Sequence, residues 1–236
     1  MSRVVREDFS QFTIYLSKFS FAGLLSDAAY ISELKAAHGK LLALSALVAE
    51  LRHEAGAAAS TFSVDYTDCG GDYLGEVLSD CSESLMCIAM GANRAGAAAL
   101  RSAIESFAKT FSIAEQPSVL TRTSVPEVFS VAAGCGFFEH NVARNAFTSL
   151  RSSYADLNQF VHTVSSESMF AVLAVGNFPK YDANTAVMVE NFVRVVRYFI
   201  LAMVAARRDL YDQFDHRNKE VIAAALKRDQ RRIALG

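Results

Sequence analysis

Apolar side chains recur every three to four residues along most of the chain, which is the spacing of a helix that buries one face. This period predicts helices over residues 24–55, 72–90, 93–114, 138–164, 182–214 and 216–235. Strand-like alternation does not persist beyond a few residues, and only three prolines force a helix to end. The sequence therefore predicts an all-α fold in which residues 1–236 form one domain, a single helical bundle with long antiparallel helices.

Small and turn-forming residues mark the predicted connections. Gly91 is placed as the C-terminal cap of helix 72–90, and Asn93 as the N-cap of helix 93–114. These two helices should therefore form an antiparallel hairpin. The clearest loop is predicted near residues 56–72.

Composition adds an expectation about assembly. Apolar residues make up 52% of the chain and charged residues 20%, whereas typical globular domains have about 45–50% and about 25%. Apolar helix faces beyond the needs of one bundle predict a homodimer or a higher oligomer.

The charge of the chain is unevenly distributed. A formal net charge of −2 argues against bulk attraction to nucleic acid. From Arg207 onward, however, eight Lys or Arg face five Asp or Glu, which gives a local charge of +3. The predicted C-terminal helix at residues 216–235 is thus basic, and it is either a surface that steers an acidic partner or a solvated helix face.

The sequence contains no recognisable motif for a nucleotide, protease, hydrolase or calcium site, and its histidines are scattered, so we predict no cofactor and no metal. The most apolar stretch, residues 186–206, is interrupted by charges and falls short of the roughly 20 apolar residues that cross a bilayer, so no membrane association is expected. The four cysteines do not have the spacing of a metal site, and no secretory signal precedes them. We therefore expect reduced thiols in a cytoplasmic protein. They are Cys69, Cys81, Cys87 and Cys135.

Polar side chains gather on one stripe of the fourth predicted helix. At about 100° per residue, Arg144, Arg151, Asn158 and His162 fall on one side of the helix. A guanidinium can hold phosphate oxygens, and a histidine can move a proton near neutral pH. We therefore expect Arg144, Tyr154 and Asn158 to bind RNA or form an interface, with His162 and Arg151 as candidate catalytic residues. The alternative is structural: both arginines face solvent, while the amide and the imidazole satisfy buried groups or line a dimer seam.

A second polar row lies on the third predicted helix. Arg101, Glu105 and Lys109 are spaced by four residues, which is typical of a salt-bridged, solvent-exposed helix face. The buried stripe of the same helix should consist of Leu100, Ile104, Phe107 and Phe111.

Residues 158–162, Asn-Gln-Phe-Val-His, resemble the signature of HEPN-like proteins. In that family, helical dimers carry an Arg, usually followed by a polar residue, five to seven positions before a His, and the pair cleaves RNA across the dimer interface. Residues 100–105 and the closing basic helix are also similar to helical proteins of bacterial antiviral defence and toxin–antitoxin loci. In this chain Leu157 stands five residues before His162, and no histidine has an arginine five to seven residues before it. The resemblance therefore implies a HEPN-like fold and a degenerate ribonuclease.

Three functional hypotheses follow. The first is a HEPN-like helical protein of a bacterial antiviral defence or toxin–antitoxin system that binds RNA or a partner protein from the same locus, with enzymatic activity left open. The alternative is a non-enzymatic adaptor that docks a partner through apolar or basic helix faces. A third is a bundle that holds a small apolar ligand between its seventeen phenylalanines, although core packing explains those residues more simply.

Overall fold

A computed structural model describes residues 3–17, 22–57, 70–161 and 179–235. Every regular element within these ranges is helical, as the apolar period predicted. The α-helices are α1 (Arg3–Leu16), α2 (Ala22–Leu25), α3 (Ala28–Ala57), α4 (Gly71–Ala89), α5 (Asn93–Thr110), α6 (Val125–Ala133), α7 (Asn141–Val161), α8 (Ala183–Ala206), α9 (Arg208–Tyr211), α10 (His216–Ala225) and α11 (Arg228–Leu235). Short 3-10 turns at Pro117–Thr121 and Gly136–Phe138 lie on either side of α6.

Helices α3 and α4 are antiparallel. The hydroxyl of Tyr30, near the start of α3, donates to the carbonyl of Ala89 at the end of α4 (3.0 Å). At the other end, the guanidinium of Arg52 donates to the carbonyl of Gly71 (3.1 Å). Contacts at both ends fix the direction and register of this pair.

Helices α4 and α5 form the predicted antiparallel hairpin. Gly91 has a φ of 75°, a conformation that residues with a Cβ rarely adopt. The backbone N–H groups of Gly91 and Ala92 donate to the carbonyls of Ile88 and Cys87, which is the Schellman arrangement that ends a helix. Gly91 is therefore the helix-ending residue that its position in the sequence predicted.

The predicted N-cap role of Asn93 is wrong. Ala92 is the N-cap of α5, and Asn93 is the first residue of the helix. The Asn93 side chain is buried, and its amide donates to the hydroxyl of Thr185 in α8 (3.2 Å). A tertiary contact has thus replaced the local one that a capping residue makes.

Helix α8 lies at the centre of the bundle, as its apolar sequence predicted. Asn93 meets Thr185 near the start of both α5 and α8, and Phe107 stacks on Phe199 further along both, with ring centroids 4.6 Å apart. The two helices are therefore parallel. Helix α8 ends at Ala206 instead of continuing to residue 214, because Arg207 leaves helical geometry (φ −125°, ψ 45°).

The other predicted boundaries shift where a tertiary contact or a capping group ends a helix. The basic segment 216–235 is two helices, because Leu226 is extended (φ −91°, ψ 150°) and separates α10 from α11. At the start of α3, the Asp27 carboxylate accepts hydrogen bonds from two backbone N–H groups and separates α3 from α2. The predicted loop 56–72 overlaps the end of α3 and the start of α4, and residues 58–69 lie outside the described residues.

Helix α10 returns to pack on α3. The carboxylate of Glu50 is buried and accepts from the backbone N–H of Asp215 (3.1 Å) and from the side-chain amide of Asn218 (2.5 Å). A carboxylate at the first turn of a helix compensates unpaired N–H groups and the positive end of the helix dipole. Glu50 therefore joins the C-terminal helices to the main bundle.

The phenylalanines of the core pack on one another. Ring centroids are 3.9 Å apart for Phe111 and Phe137 and 4.2 Å apart for Phe138 and Phe147. The cleft between Tyr30, Ile88 and Tyr181 has no room for even a water-sized molecule, whereas typical ligand pockets hold roughly 300–1,000 Å³. In the part of the chain that the structure describes, no helix is long and apolar enough to cross a membrane.

Candidate functional site

The polar stripe of α7 has different surroundings at each of its positions. Arg144 is exposed, and its guanidinium donates to the carbonyls of Phe138 (3.3 Å) and Glu139 (3.2 Å). These carbonyls belong to the 3-10 turn before α7. Arg144 thus stabilises the start of the helix on which it lies.

Arg151 and Asn158 are placed further along the same stripe. Arg151 is exposed and makes no hydrogen bond or ion pair with another described residue. Asn158 is half-buried, and its side-chain oxygen is enclosed without a hydrogen-bond donor. His162 lies outside the described residues, so its distance from Arg151 stays a prediction. Leu157, five residues before His162, is fully buried.

Tyr154 is the centre of a polar cluster between α5 and α7. Its hydroxyl accepts from the guanidinium of Arg101 (2.7 Å) and donates to the carboxylate of Glu105 (2.8 Å). The ring is buried against Phe129 and carries the Arg101 guanidinium 4.6 Å from its centroid. Burial raises the pKa of Tyr154, so the phenol stays neutral and can both donate and accept. Every polar atom of this tyrosine is therefore used within the chain.

This cluster changes the interpretation of the predicted row on α5. Arg101 and Glu105 are half-buried and connected through Tyr154, rather than forming an exposed salt-bridged face. Lys109, the third member, lies over the ring of Tyr73 at 5.6 Å. The spacing of four residues placed these side chains on one face correctly, but the face packs against α7 and α4.

Asp80 of α4 extends the cluster. Burial raises its pKa, neighbouring glutamates add to the rise, and a hydrogen bond with Ser102 opposes it. One oxygen of Asp80 is enclosed without a partner. Among the described residues, no three His, Cys, Asp or Glu side chains are placed to hold a metal ion.

A basic surface lies where α3, α8 and α11 meet. Its α11 cations belong to the basic segment 216–235 that the sequence predicted, whereas its α3 and α8 cations were not identified from the sequence. The ammonium of Lys40 in α3 donates to the carbonyl of Ala225 (2.6 Å), and the Arg231 guanidinium in α11 donates to the next carbonyl, that of Leu226 (3.1 Å). Burial lowers the pKa of Lys40 to about 8, and repulsion from Arg197 of α8 and from Arg231 contributes. Lys40 and Arg231 therefore meet at the end of α10, and Arg197 of α8 lies close enough to repel the charge of Lys40.

None of these three cations forms an ion pair with a carboxylate of the described residues. The Nε of Arg197 is enclosed and has no hydrogen-bond acceptor. The exposed cations Lys227, directly before α11, and Arg228 and Arg232 within it likewise have no carboxylate partner within the described ranges. This basic surface, defined as Lys40, Arg197 and the cations of α11, can attract and hold an anion.

Lys40 and Arg197 each carried a weak signal in the sequence. Both are cations within otherwise apolar helical stretches, where a charge without a local partner is costly. The sequence does not show that they meet, because α3 and α8 are brought together only by the fold.

Comparisons of the chain with protein-family models, with curated proteins and with solved structures gave no match.

Proposed function

We propose that this protein binds RNA without cleaving it and that the basic surface contacts the RNA phosphates. The observation that carries the proposal is that Lys40 and Arg231 hold consecutive carbonyls at the end of α10, with Arg197 close enough to repel Lys40, while none of the three forms an ion pair with a carboxylate of the described residues. Cations that face one another are stabilised by an anion between them, and phosphates are the anions that RNA presents.

The polar stripe of α7 supports binding less well than the basic surface does. Arg144 is engaged with backbone carbonyls, and Tyr154 is buried with its hydroxyl fully used. Leu157 replaces the arginine that the resembling family uses for cleavage. Arg151 remains the one exposed, unengaged cation among the stripe's described positions.

From the resemblance to HEPN-like proteins, we propose that this activity belongs to a bacterial antiviral defence or toxin–antitoxin system and that the protein is a homodimer or higher oligomer. Exposed apolar side chains on α1 support self-association: Ile14 is 54% exposed and Val4 is 41% exposed. Light scattering should give a mass of at least twice 25.7 kDa. A monomer at micromolar concentration would contradict this part of the proposal.

A titration of labelled single-stranded RNA at several salt concentrations tests the binding. Neutralising one α11 charge in Arg232→Gln should weaken binding at low salt and reduce the slope of log K against log salt by about 0.7. Arg6→Gln is the matched control, since Arg6 is an exposed arginine on α1 with no described contact. If Arg151→Gln weakens binding and Arg232→Gln does not, the α7 stripe is the binding site.

Cleavage is tested separately, by expressing the chain and sequencing the ends of cellular RNA. The proposal expects no new ends. New ends that disappear in His162→Ala would establish a ribonuclease instead.

The second candidate function is the adaptor. The observation that favours it is Ile233, which is 58% exposed on α11 among exposed basic residues. A basic helix face with an exposed apolar side chain suits an acidic protein surface as well as RNA. Ile233→Ser should leave RNA binding unchanged if RNA is the partner, and should weaken a protein complex if an adaptor role is correct.

A further inference from the structure

The arrangement around Lys40 is more specific than a general basic surface. Lys40 and Arg231 hold two consecutive carbonyls at the end of α10, where cations compensate the negative end of a helix dipole. Those two side chains are sufficient for that structural role. Arg197 adds a third positive charge beside them, and its Nε finds no acceptor within the described residues.

The three cations retain donors for a ligand. An ammonium has three N–H groups and a guanidinium has five. Lys40 uses one on Ala225, and Arg231 uses its Nε on Leu226. The remaining donors belong to side chains of three different helices, α3, α8 and α11.

The number of charges at this point selects the ligand. A phosphodiester carries one negative charge, whereas a phosphate monoester carries about 1.5–2 at pH 7 and presents three acceptor oxygens. Three converging cations match the monoester better, because a single diester charge would leave two of them uncompensated.

We propose that Lys40, Arg197 and Arg231 form a binding site for a terminal phosphate, that is, a phosphate monoester at the 5′ end of a nucleotide chain or of a single nucleotide. Assigning this phosphate to RNA rests on the proposed function, whereas the site itself does not. In this arrangement the three cations bind the terminal phosphate of an RNA, and the basic surface of α11 contacts the phosphodiesters next to that end.

The experiment compares two pairs of probes. One pair is an RNA oligonucleotide with a 5′-phosphate and the same oligonucleotide with a 5′-hydroxyl, measured by titration. The other pair is adenosine 5′-monophosphate and adenosine, measured by the shift in melting temperature. We expect the phosphorylated RNA to bind about tenfold more tightly, which corresponds to about 1.4 kcal/mol, and only the monophosphate to raise the melting temperature.

Three variants locate the effect. Arg231→Gln changes an exposed residue and should keep the fold, while Arg197→Gln removes the cation that has no structural contact on α10. Each should reduce the preference for the phosphorylated RNA to less than about twofold. Arg6→Gln, with the same change of charge, should retain the preference. Circular dichroism establishes that each variant is folded before it is titrated.

The outcomes separate the two proposals. Equal affinity for both oligonucleotides, without a response to the monophosphate, overturns the terminal-phosphate site and leaves RNA binding intact. A response to the monophosphate that both Arg variants abolish, without RNA binding, supports the site and overturns the RNA function. A preference that survives in both variants shows that the phosphate binds elsewhere and overturns the site.

Discussion

Relative to Lys40→Met, the wild-type protein should become more stable between pH 7 and 9.5. The pKa of Lys40 is lowered to about 8 by burial and by the Arg197 and Arg231 guanidinium groups, against an ordinary value of 10.5. Below pH 8 the lysine is protonated in both folded and unfolded chains, so its full unfavourable energy is present. Between pH 8 and 10.5 the folded chain releases the proton while the unfolded chain keeps it, and stability therefore rises with pH.

The magnitude follows from the same two pKa values. For each pH unit above the folded-state pKa of about 8, the free energy of unfolding rises by at most about 1.36 kcal/mol. At pH 9.5 the gain in stability is therefore at most about 2 kcal/mol. Lys40 is partly accessible to solvent, and screening lowers the expected gain to about 1 kcal/mol. Methionine has a similar length and no charge. Its substitution also removes the donor to the Ala225 carbonyl, which contributes a cost of about 1 kcal/mol that does not vary with pH and so does not alter the pH-dependent part of the difference.

Urea unfolding of both proteins at intervals of half a pH unit measures this difference. The comparison cancels the titration of groups common to both chains, including the cysteines. A difference that stays constant from pH 7 to 9.5 would refute the reasoning, because it would mean that the lysine has an ordinary pKa in the folded chain. A bound phosphate should raise the pKa of Lys40, and adding adenosine 5′-monophosphate should move the rise in stability to higher pH.

Three further substitutions test contacts of the fold. Gly91→Ala should lower the free energy of unfolding by at least about 2 kcal/mol, because a left-handed alanine is strained and its Cβ would lie 2.4 Å from a carbonyl oxygen. A loss of stability below about 0.5 kcal/mol in urea titration would contradict this. Tyr154→Phe should cost about 1–2 kcal/mol, since Arg101 and Glu105 lose the hydroxyl between them, and should leave RNA affinity unchanged. Asp27→Ala should lower thermal stability by about 1 kcal/mol through loss of the α3 cap, and Asp27→Asn should recover most of it.

The helices could be predicted because their signals are local. A period of 3.6 residues places the α4, α5, α7 and α8 segments, and Gly91 marks the turn between two of them. Asn93 shows the limit of this reasoning, because an asparagine before an apolar segment is typical of an N-cap. Its actual partner, Thr185, lies 92 residues away in the chain, and no local pattern indicates that contact.

The candidate site could be predicted only in part. Helical geometry placed Arg144 and Arg151 on the same side of α7. The carbonyls that accept hydrogen bonds from the Arg144 guanidinium, however, come from the turn before the helix. The row on α5 was recognised, whereas the tyrosine that joins Arg101 to Glu105 belongs to another helix. Lys40 was missed because its neighbours come from α8 and α11. Whether a charge at this position destabilises the fold or can bind a ligand depends on those neighbours, which the local sequence does not show.

The hydrogen bond between Lys40 and Ala225 joins residues that are 185 positions apart. During synthesis, the α4–α5 hairpin can form as soon as its own residues have emerged from the ribosome. The three-cation site cannot, because Arg231 is translated roughly 10–40 s after Lys40 at ordinary elongation rates. If the three cations bind a terminal phosphate as proposed, a nascent chain has no complete phosphate site while most of it is being made, and it would bind RNA there only after the C-terminal helices have docked on α3.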